Sequence, residues 1–187
     1  MRIIGDMHGH FDAYFDFIRS LGNSPSIQVG DLGVGIRGFN FPEKVDGPHF
    51  FIRGNHDNPE VCQKHPNYLG DFGFDQLLGV FFVSGGYSID RVYQLMTDDY
   101  YPDEELTYMQ LERAIGEYET VKPEIMVTHD CPHSVLGYHN RTCYALQAML
   151  EIHRPRLWLF GHHHEGFTKE IDGTSFICVA QDTFVDI

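Results

Sequence analysis

The sequence predicts an α/β fold in a single domain over residues 1–187, and three observations lead to this prediction. Short apolar runs of strand length alternate with segments in which apolar residues recur every three or four positions, as on one face of a helix. Five of the apolar runs end in a polar cluster containing Asp, Asn or His, as expected where strands of an α/β sheet end at a ligand site. No repeat or long linker divides the chain, and its length and 42% hydrophobic content suffice for one buried core.

In the first half of the chain, one helix is predicted among five strand segments. Residues 11–21 carry apolar side chains at Phe11, Tyr14 and Ile18, a spacing that places them on one side of a helix. The strand segments are apolar runs bounded by glycine or by glycine-rich loops. They cover residues 1–5, 26–30, 49–53, 74–84 and 87–89.

The second half of the chain is predicted to contain two helices and four strands. Thr107 is a suitable N-cap for a helix over residues 107–120, and a second helix covers about residues 142–152. Asp172-Gly173 favours a two-residue turn, so the last two strands are expected to pair as a hairpin. The strands cover residues 124–128, 156–160, 167–171 and 175–180.

The composition indicates a cytoplasmic protein that does not bind extended nucleic acid. Thirteen basic and twenty-seven acidic residues give a net charge of −14, whereas nucleic-acid-binding surfaces are usually basic. A nucleotide substrate stays open, because bound metal cations would reverse the field locally. No apolar run reaches the ~20 residues of a membrane span, and no secretory signal is visible. The four cysteines show no CxxC spacing and are expected to be reduced thiols.

The five polar clusters carry the chemistry that the sequence suggests. They are Asp6-Met7-His8, Gly30-Asp31, Gly54-Asn55-His56-Asp57, His129, and Gly161-His162-His163-His164. Carboxylate, amide and imidazole donors suit Mn²⁺, Fe²⁺ or Zn²⁺, and the absence of cysteine from the clusters argues against a structural zinc site. On extended backbone, alternate residues point the same way, so Asp6 and His8 are expected to face one ion together. His162 and His164 would converge likewise, with His163 facing elsewhere.

Each cluster taken alone also has an ordinary structural explanation. A Gly-Asp pair is a common turn, an Asn beside Gly tolerates a left-handed turn, and a single histidine is usually a core or surface residue. The tract from His162 to His164 would bind metal even without a function. A shared site is favoured because all five clusters follow predicted strands in one chain.

The chain resembles the calcineurin-like metallophosphoesterase family in the order of these motifs. The matching residues are Asp6-x-His8, Gly30-Asp31, Gly54-Asn55-His56-Asp57, His129 and Gly161-His162-x-His164. The resemblance implies a four-layered α/β sandwich, in which two mixed β-sheets pack together between helices. It also implies two divalent metal ions, with Mn²⁺ as the first choice and Fe²⁺, Fe³⁺, Zn²⁺ or Ni²⁺ as alternatives.

The resemblance implies a role for each matching residue. Asp6, His8 and His164 would hold the first ion. Asn55, His129 and His162 would hold the second. Asp31 would bridge the two, because a carboxylate can bind two ions where an imidazole cannot. His56 would act as general acid, with Asp57 or another nearby carboxylate orienting it.

The reaction implied is hydrolysis of phosphodiesters or phosphomonoesters, with small molecules or nucleotides as substrates. Two ions roughly 3.5–4 Å apart can share a hydroxide and hold a phosphate for in-line attack. Coordination lowers the pKa of water toward neutrality, so no separate strong base is needed.

The resemblance is weaker at the residues that would contact the substrate phosphate. The Ser/Thr protein phosphatase branch has an Asp-Arg-Gly triplet in its second motif, but here Leu32 follows Asp31 and the nearest arginine is Arg37. Residues 84–91 and 100–105 are more similar to small bacterial and phage-type members. Arg53 and Arg91 are further candidate phosphate contacts, and a structural ion pair is the alternative for each.

Three rival functions stay open at this point. A nuclease or a Ser/Thr-type protein phosphatase would use the same site, although long nucleic-acid strands need a basic groove. A metal-binding scaffold for protein interaction is the non-enzymatic alternative, and the presence of both Asp31 and His56 argues against it. The sequence specifies neither the natural ester nor an oligomeric state.

Overall fold

Ten strands and five helices form the frame of the protein within residues 1–89 and 100–187, which the computed structural model describes. Arg91, one of the predicted phosphate contacts, lies outside the described residues. The strands are β1 (Arg2–Ile4), β2 (Ser26–Gln28), β3 (His49–Phe51), β4 (Phe72–Asp75), β5 (Val80–Val83), β6 (Ile125–Thr128), β7 (Leu157–Phe160), β8 (Phe167–Ile171), β9 (Thr174–Cys178) and β10 (Phe184–Asp186). The helices are α1 (Phe11–Arg19), α2 (Pro59–Cys62), α3 (Tyr108–Val121), α4 (His133–Leu136) and α5 (Arg141–Ile152).

The strands pair into two mixed sheets. The first sheet has the order β10-β1-β2-β3, in which β1, β2 and β3 run parallel and β10 is antiparallel to β1. The second has the order β4-β5-β6-β7-β9-β8, with four parallel central strands and an antiparallel strand at each edge. Because parallel strands end at the same edge of a sheet, the loops after β1, β2 and β3 are neighbours, and so are those after β6 and β7.

Apolar side chains between the two sheets form the central core. Ile3 and Ile27 of the first sheet belong to one buried cluster with Val127 and Leu159 of the second. The next residue along β1, Ile4, belongs instead to the cluster beneath α1. Successive side chains of a strand point to opposite faces, so a strand buried on both faces reads as a continuous apolar run.

Helices cover the outer face of each sheet. On the first sheet, Tyr14 and Ile18 of α1 pack into the cluster around Phe51. On the second, Tyr118 of α3 and Leu146 of α5 lie in a single buried cluster with strand residues. The layers therefore run helix, sheet, sheet, helix, and the predicted four-layered α/β sandwich is confirmed.

Two strand predictions in the middle of the chain were wrong in detail. Residues 74–84 span a turn between β4 and β5, because the Asp75 carboxylate accepts two backbone amide hydrogen bonds there and reverses the chain. Residues 87–89 form no strand. The Ser88 amide and hydroxyl both donate to the Glu104 carboxylate, at 3.2 and 2.5 Å.

The other predicted elements are present, with ends that differ by a few residues. Thr107 caps α3 as predicted, and Gln110 completes a reciprocal capping box with it. Three short elements escaped prediction, because β10 has three residues and α2 and α4 have four, which is too few for a period to show. All four cysteines are buried free thiols. None of the helices in the described residues is both long and apolar enough to cross a membrane.

Candidate metal centre

The loops after β1, β2 and β7 bring the first group of metal-binding side chains together. One donor atom from each of Asp6, His8, Asp31 and His164 lies within 4.8 Å of all the others. Nε2 of His164 is 2.9 Å from Nε2 of His8 and 3.4 Å from Oδ2 of Asp6. Nε2 of His8 is 3.8 Å from Oδ2 of Asp31. Donors around one ion at about 2.0–2.2 Å have separations of this size, so these four form a candidate site.

The loops after β2, β3, β6 and β7 supply a second group. Asp31, His129 and His162 meet the same 4.8 Å criterion. Nε2 of His129 lies 3.1 Å from Nδ1 of His162, 3.6 Å from Oδ2 of Asp31 and 3.0 Å from Oδ1 of Asn55. Asp31 is the member common to both groups, and the same oxygen, Oδ2, faces each of them.

Further contacts orient two donors of the second group. Nδ1 of the His129 ring lies 2.9 Å from the Val29 carbonyl oxygen, which makes Nδ1 the protonated nitrogen and leaves the Nε2 lone pair for a metal. The Asn55 amide nitrogen donates to the Ser88 hydroxyl at 2.9 Å, so the amide oxygen is the atom that faces His129. Sequence reasoning missed Ser88, because it lies 33 residues from the side chain that it holds.

Four of the predicted ligands have a left-handed backbone. The φ angle is 42° at His8, 56° at Asp31, 68° at His162 and 59° at His164. Such conformations cost roughly 1–3 kcal/mol each for non-glycine residues and concentrate at functional sites. The expectation that extended backbone would make His162 and His164 converge was therefore wrong, and the two rings lie in different donor groups.

Two glycines are required by the close approach of donor carboxylates. A Cβ atom on Gly54 would lie 2.1 Å from Oδ1 of Asp31, and one on Gly161 would lie 2.1 Å from Oδ1 of Asp6. Real Cβ atoms do not approach other atoms so closely, so a side chain at either position would displace the carboxylate. The Gly54-Asn55 and Gly161-His162 pairs of the sequence thus have a steric reason beyond turn formation.

The electrostatics of the site fit bound cations. Oδ2 of Asp31 is buried and accepts no hydrogen bond from any of the described residues, which is costly for a carboxylate oxygen. Burial raises the pKa of Asp6 well above its usual value, and the charge of Asp31 adds to this. Burial acts on Asp31 in the same direction, but the imidazoles of His129 and His56 outweigh it and hold its pKa well below the usual range. Divalent ions between these donors would satisfy both carboxylates.

A cleft of about 310 Å³ opens beside the two donor groups. Its lining includes donors from both groups and several residues outside them: Asp31, Asn55, His56, Tyr87, Ile89, Asp130, Tyr138, Asn140, His162, His163 and His164. His56, the predicted general acid, lies at the cleft with its ring centroid 5.2 Å from that of His8. Its backbone amide donates to Oδ1 of Asp31 at 2.8 Å, which ties its position to the donor groups.

Asp57 holds two loops of the site together. Its carboxylate is fully buried and accepts backbone amide hydrogen bonds from Leu32, Gly33, Val34 and Gly54 at 3.3, 2.7, 2.9 and 2.9 Å. These bonds fasten the segment after Asp31 to the segment that carries Asn55 and His56. Within the described residues, its hydrogen-bond donors are therefore backbone amides rather than the His56 ring that the resemblance suggested.

Two of the three predicted arginine contacts, Arg53 and Arg37, do not line the cleft as the described residues form it. Arg53 is 3% exposed, donates to the Glu104 carbonyl oxygen at 2.7 Å and pairs with Asp71 at 3.3 Å, which are the contacts expected of a structural ion pair. Arg37 is exposed, and neither arginine lines the cleft. Within the described lining there is no Lys or Arg.

A third group of side chains that could hold a metal ion lies beside the cleft and consists of Asp130, Cys131 and His163. Together with Cys143, whose thiol donates to Asp130, we name it the thiol cluster. His163 belongs to neither of the first two donor groups, and its Nε2 lies 3.4 Å from the Asp130 carboxylate. Sequence reasoning missed this cluster because its cysteines lie outside the Asp- and His-containing motifs.

Comparison with known proteins identifies one family and a group of solved structures with a similar fold. A family model described as calcineurin-like phosphoesterase matches residues 2–166. The comparison with curated proteins found no match. The solved structure of TT1561 from Thermus thermophilus is 15% identical, covers 97% of this chain and 88% of that chain, and gives a TM-score of 0.60. The structure of GAP50, the anchor in the inner membrane complex of Plasmodium, is 16% identical, covers 98% and 72%, and gives a TM-score of 0.58. At these identities the two structures show the fold alone.

Proposed function

The chain belongs to the calcineurin-like phosphoesterase family, and we propose that it is a two-metal hydrolase of small phosphodiesters or phosphomonoesters, nucleotides included. The observation that carries the proposal is the Asp31 carboxylate. Its Oδ2 is buried, accepts no hydrogen bond from the described residues and faces both donor groups. A buried carboxylate oxygen that accepts no hydrogen bond is energetically costly, and two bound cations would remove that cost.

The donor sets support one assignment of ligands to each ion. Asp6, His8 and His164 would hold one, with Asp31 shared. His129, His162 and the amide oxygen of Asn55 would hold the other. The oxygen and nitrogen donors suit Mn²⁺ first, with iron, Zn²⁺ or Ni²⁺ as alternatives. When bound, such ions supply an activated water and neutralise charge on the phosphoryl oxygens.

The protein's own residues would position the ester and deliver the proton. His56 lies at the cleft beside the first donor group, where its ring can protonate the departing ester oxygen. Asp57 acts as a positioning residue, because its four amide hydrogen bonds fix the loop that carries His56 and Asn55.

The size and charge of the cleft favour a small substrate. A volume of about 310 Å³ lies at the low end for ligand pockets. The described lining contains no Lys or Arg to neutralise a strand of phosphates, and the net charge of −14 adds to this. A nuclease or a protein phosphatase is therefore a second choice. Buried free thiols suit a reducing compartment, so we propose the cytoplasm.

The testing experiment compares p-nitrophenyl phosphate with bis-p-nitrophenyl phosphate, using metal-free protein reloaded with Mn²⁺. Asp31→Asn should abolish turnover, and His56→Ala should leave the metals bound but slow the reaction. The faster substrate assigns diesterase or monoesterase activity. No turnover of either ester with Mn²⁺, Zn²⁺ or Fe²⁺ would overturn the proposal and favour a metal-binding scaffold.

A further inference from the structure

The thiol cluster has the donor spacing of a compact metal site. Nε2 of His163 lies 3.4 Å from Oδ1 of Asp130 and 3.8 Å from Sγ of Cys131. One donor atom from each of Asp130, Cys131 and His163 lies within 4.8 Å of the other two, and the Cys143 thiol donates to the other oxygen of the same carboxylate at 3.2 Å. Ligands arranged tetrahedrally around Zn²⁺ at about 2.0–2.3 Å have mutual separations of roughly 3.3–3.8 Å, and the observed distances lie in or next to this range.

The four side chains are held in place by the surrounding fold. The His163 ring stacks on Tyr138 with 10° between the planes and a centroid distance of 5.1 Å, and it meets Phe160 edge-on. The Cys131 amide donates to the Asp130 carboxylate at 2.7 Å, which fixes the turn after β6. Cys143 lies in the first turn of α5, and its amide donates to the N-cap side chain at 2.7 Å. Donors that are already oriented lose little freedom when they bind an ion.

An ion can reach the cluster from the cleft. Asp130 and His163 line the cleft, whereas both thiols are buried behind them, with Cys131 1% exposed and Cys143 fully buried. The carboxylate and imidazole would therefore meet the ion first, and the sulfur atoms would complete its coordination from the protein side.

We propose that Asp130, Cys131 and His163, together with the Cys143 thiol beside the same carboxylate, form a third cation site that takes one thiophilic divalent ion such as Zn²⁺ and shares no residue with the two donor groups. The proposal does not depend on the proposed hydrolytic function. Binding replaces the protons of the two thiols by metal–sulfur bonds, and the protons leave to solvent.

The donor chemistry makes the site selective. Two of its side chains are buried thiols, and soft thiolate ligands select ions that form strong bonds to sulfur. Zn²⁺, Cd²⁺ and Co²⁺ do so, whereas Mn²⁺ and Mg²⁺ prefer oxygen donors. The first two donor groups contain nitrogen and oxygen only, so a bond from sulfur to metal reports this site alone.

The test is a titration of the Mn²⁺-loaded protein with Cd²⁺, followed by the ultraviolet charge-transfer absorption of thiolate bound to cadmium. We expect the absorption to saturate at one Cd²⁺ per chain. Cys131→Ser and Cys143→Ser should each reduce it strongly, and the Cys131→Ser/Cys143→Ser double variant should abolish it. Cys62→Ser is the matched control, because Cys62 is an equally buried thiol in the core beneath α1 and should leave the signal unchanged.

A second variant keeps the test decisive if the serine variants fold poorly. His163→Gln removes the imidazole without altering either thiol and should weaken Cd²⁺ binding by roughly 10-fold or more, with unchanged far-ultraviolet circular dichroism and Mn²⁺ content. No thiolate signal from the wild-type protein would overturn the proposal. A signal that survives in the double variant would do so too, because the sulfur would then come from another cysteine. Neither result alters the ester-hydrolysis assay, so the two proposals stand or fall separately.

Discussion

Replacing Asp57 by Asn tests whether one buried carboxylate fastens the loops of the metal centre. Each oxygen of this carboxylate accepts two backbone amides, one oxygen at 2.7 and 2.9 Å and the other at 3.3 and 2.9 Å. Asn retains one oxygen and places an NH₂ group where the other was, so two buried amides lose their acceptor. Each unsatisfied buried group costs about 1–3 kcal/mol, which gives a loss of about 2–6 kcal/mol in the free energy of unfolding.

The assay is urea denaturation of the metal-free protein, with the change taken from the midpoint at constant m-value. Asp75→Asn is the matched control, because Asp75 also accepts two backbone amides, but in an exposed turn that water can reach. It should change stability by no more than about 0.5 kcal/mol. A loss below about 1 kcal/mol for Asp57→Asn, or an equal loss in both variants, would refute the account of Asp57 as the fastener of these loops.

Three further predictions concern the site and the first sheet. Gly161→Ala should abolish the metal binding that calorimetry measures, because the added Cβ would collide with a donor carboxylate. Gly116→Ala is the control: it lies on α3 with open space around it and should raise the free energy of unfolding by about 0.5–1 kcal/mol. Ser88→Ala should weaken binding of the second ion by roughly 10- to 100-fold, because the Asn55 amide loses its partner; a stoichiometry and affinity equal to wild type would contradict this. A hydrogen bond from Arg2 lowers the pKa of Asp186. The ion pair therefore stabilises the protein fully above the unfolded pKa of about 3.9, and this stabilisation is lost as the pH falls through the lower pKa of the folded protein. In thermal melts, wild type should be more stable than Asp186→Asn by about 0.2–1 kcal/mol at neutral pH, and the difference should vanish below the folded pKa.

The donor groups could be predicted from the sequence because their chemistry lies in residue types at strand ends. Asp6 and Asp31 follow neighbouring parallel strands of the first sheet, and His129 follows a parallel strand of the second. Parallel pairing aligns the strand ends within each sheet, and the packing of one sheet on the other brings the two sets of ends together. Contacts between distant segments could not be predicted in this way. The Ser88 hydroxyl that holds Asn55 depends on a loop geometry that no local pattern encodes.

Side-chain direction was the other quantity that the sequence left open. Arg53 stands next to the glycine of a metal motif, yet Asp71 and a backbone carbonyl hold it in the interior. Its residue type suggests a phosphate contact, but residue type does not reveal that the side chain is buried against these partners. Likewise, His162 and His164 lie in different donor groups, and both have a left-handed backbone. A left-handed backbone at a histidine leaves no signature in composition or periodicity, so the sequence could not predict it.

The strain and unpaired charge of the metal centre predict that the bound ions stabilise the protein. Four donors have costly backbone conformations and one carboxylate oxygen is buried without a donor among the described residues, so the centre is destabilising until cations occupy it. Each ion present at 100 times its dissociation constant should add about 2.7 kcal/mol of stability. For a chain of this length that corresponds to a rise of about 5–11 °C in melting temperature. Asp31→Asn should lose most of this rise on addition of Mn²⁺, and Asp75→Asn should keep it. An equal rise in both variants would mean that the stabilising ions bind elsewhere than at the shared carboxylate.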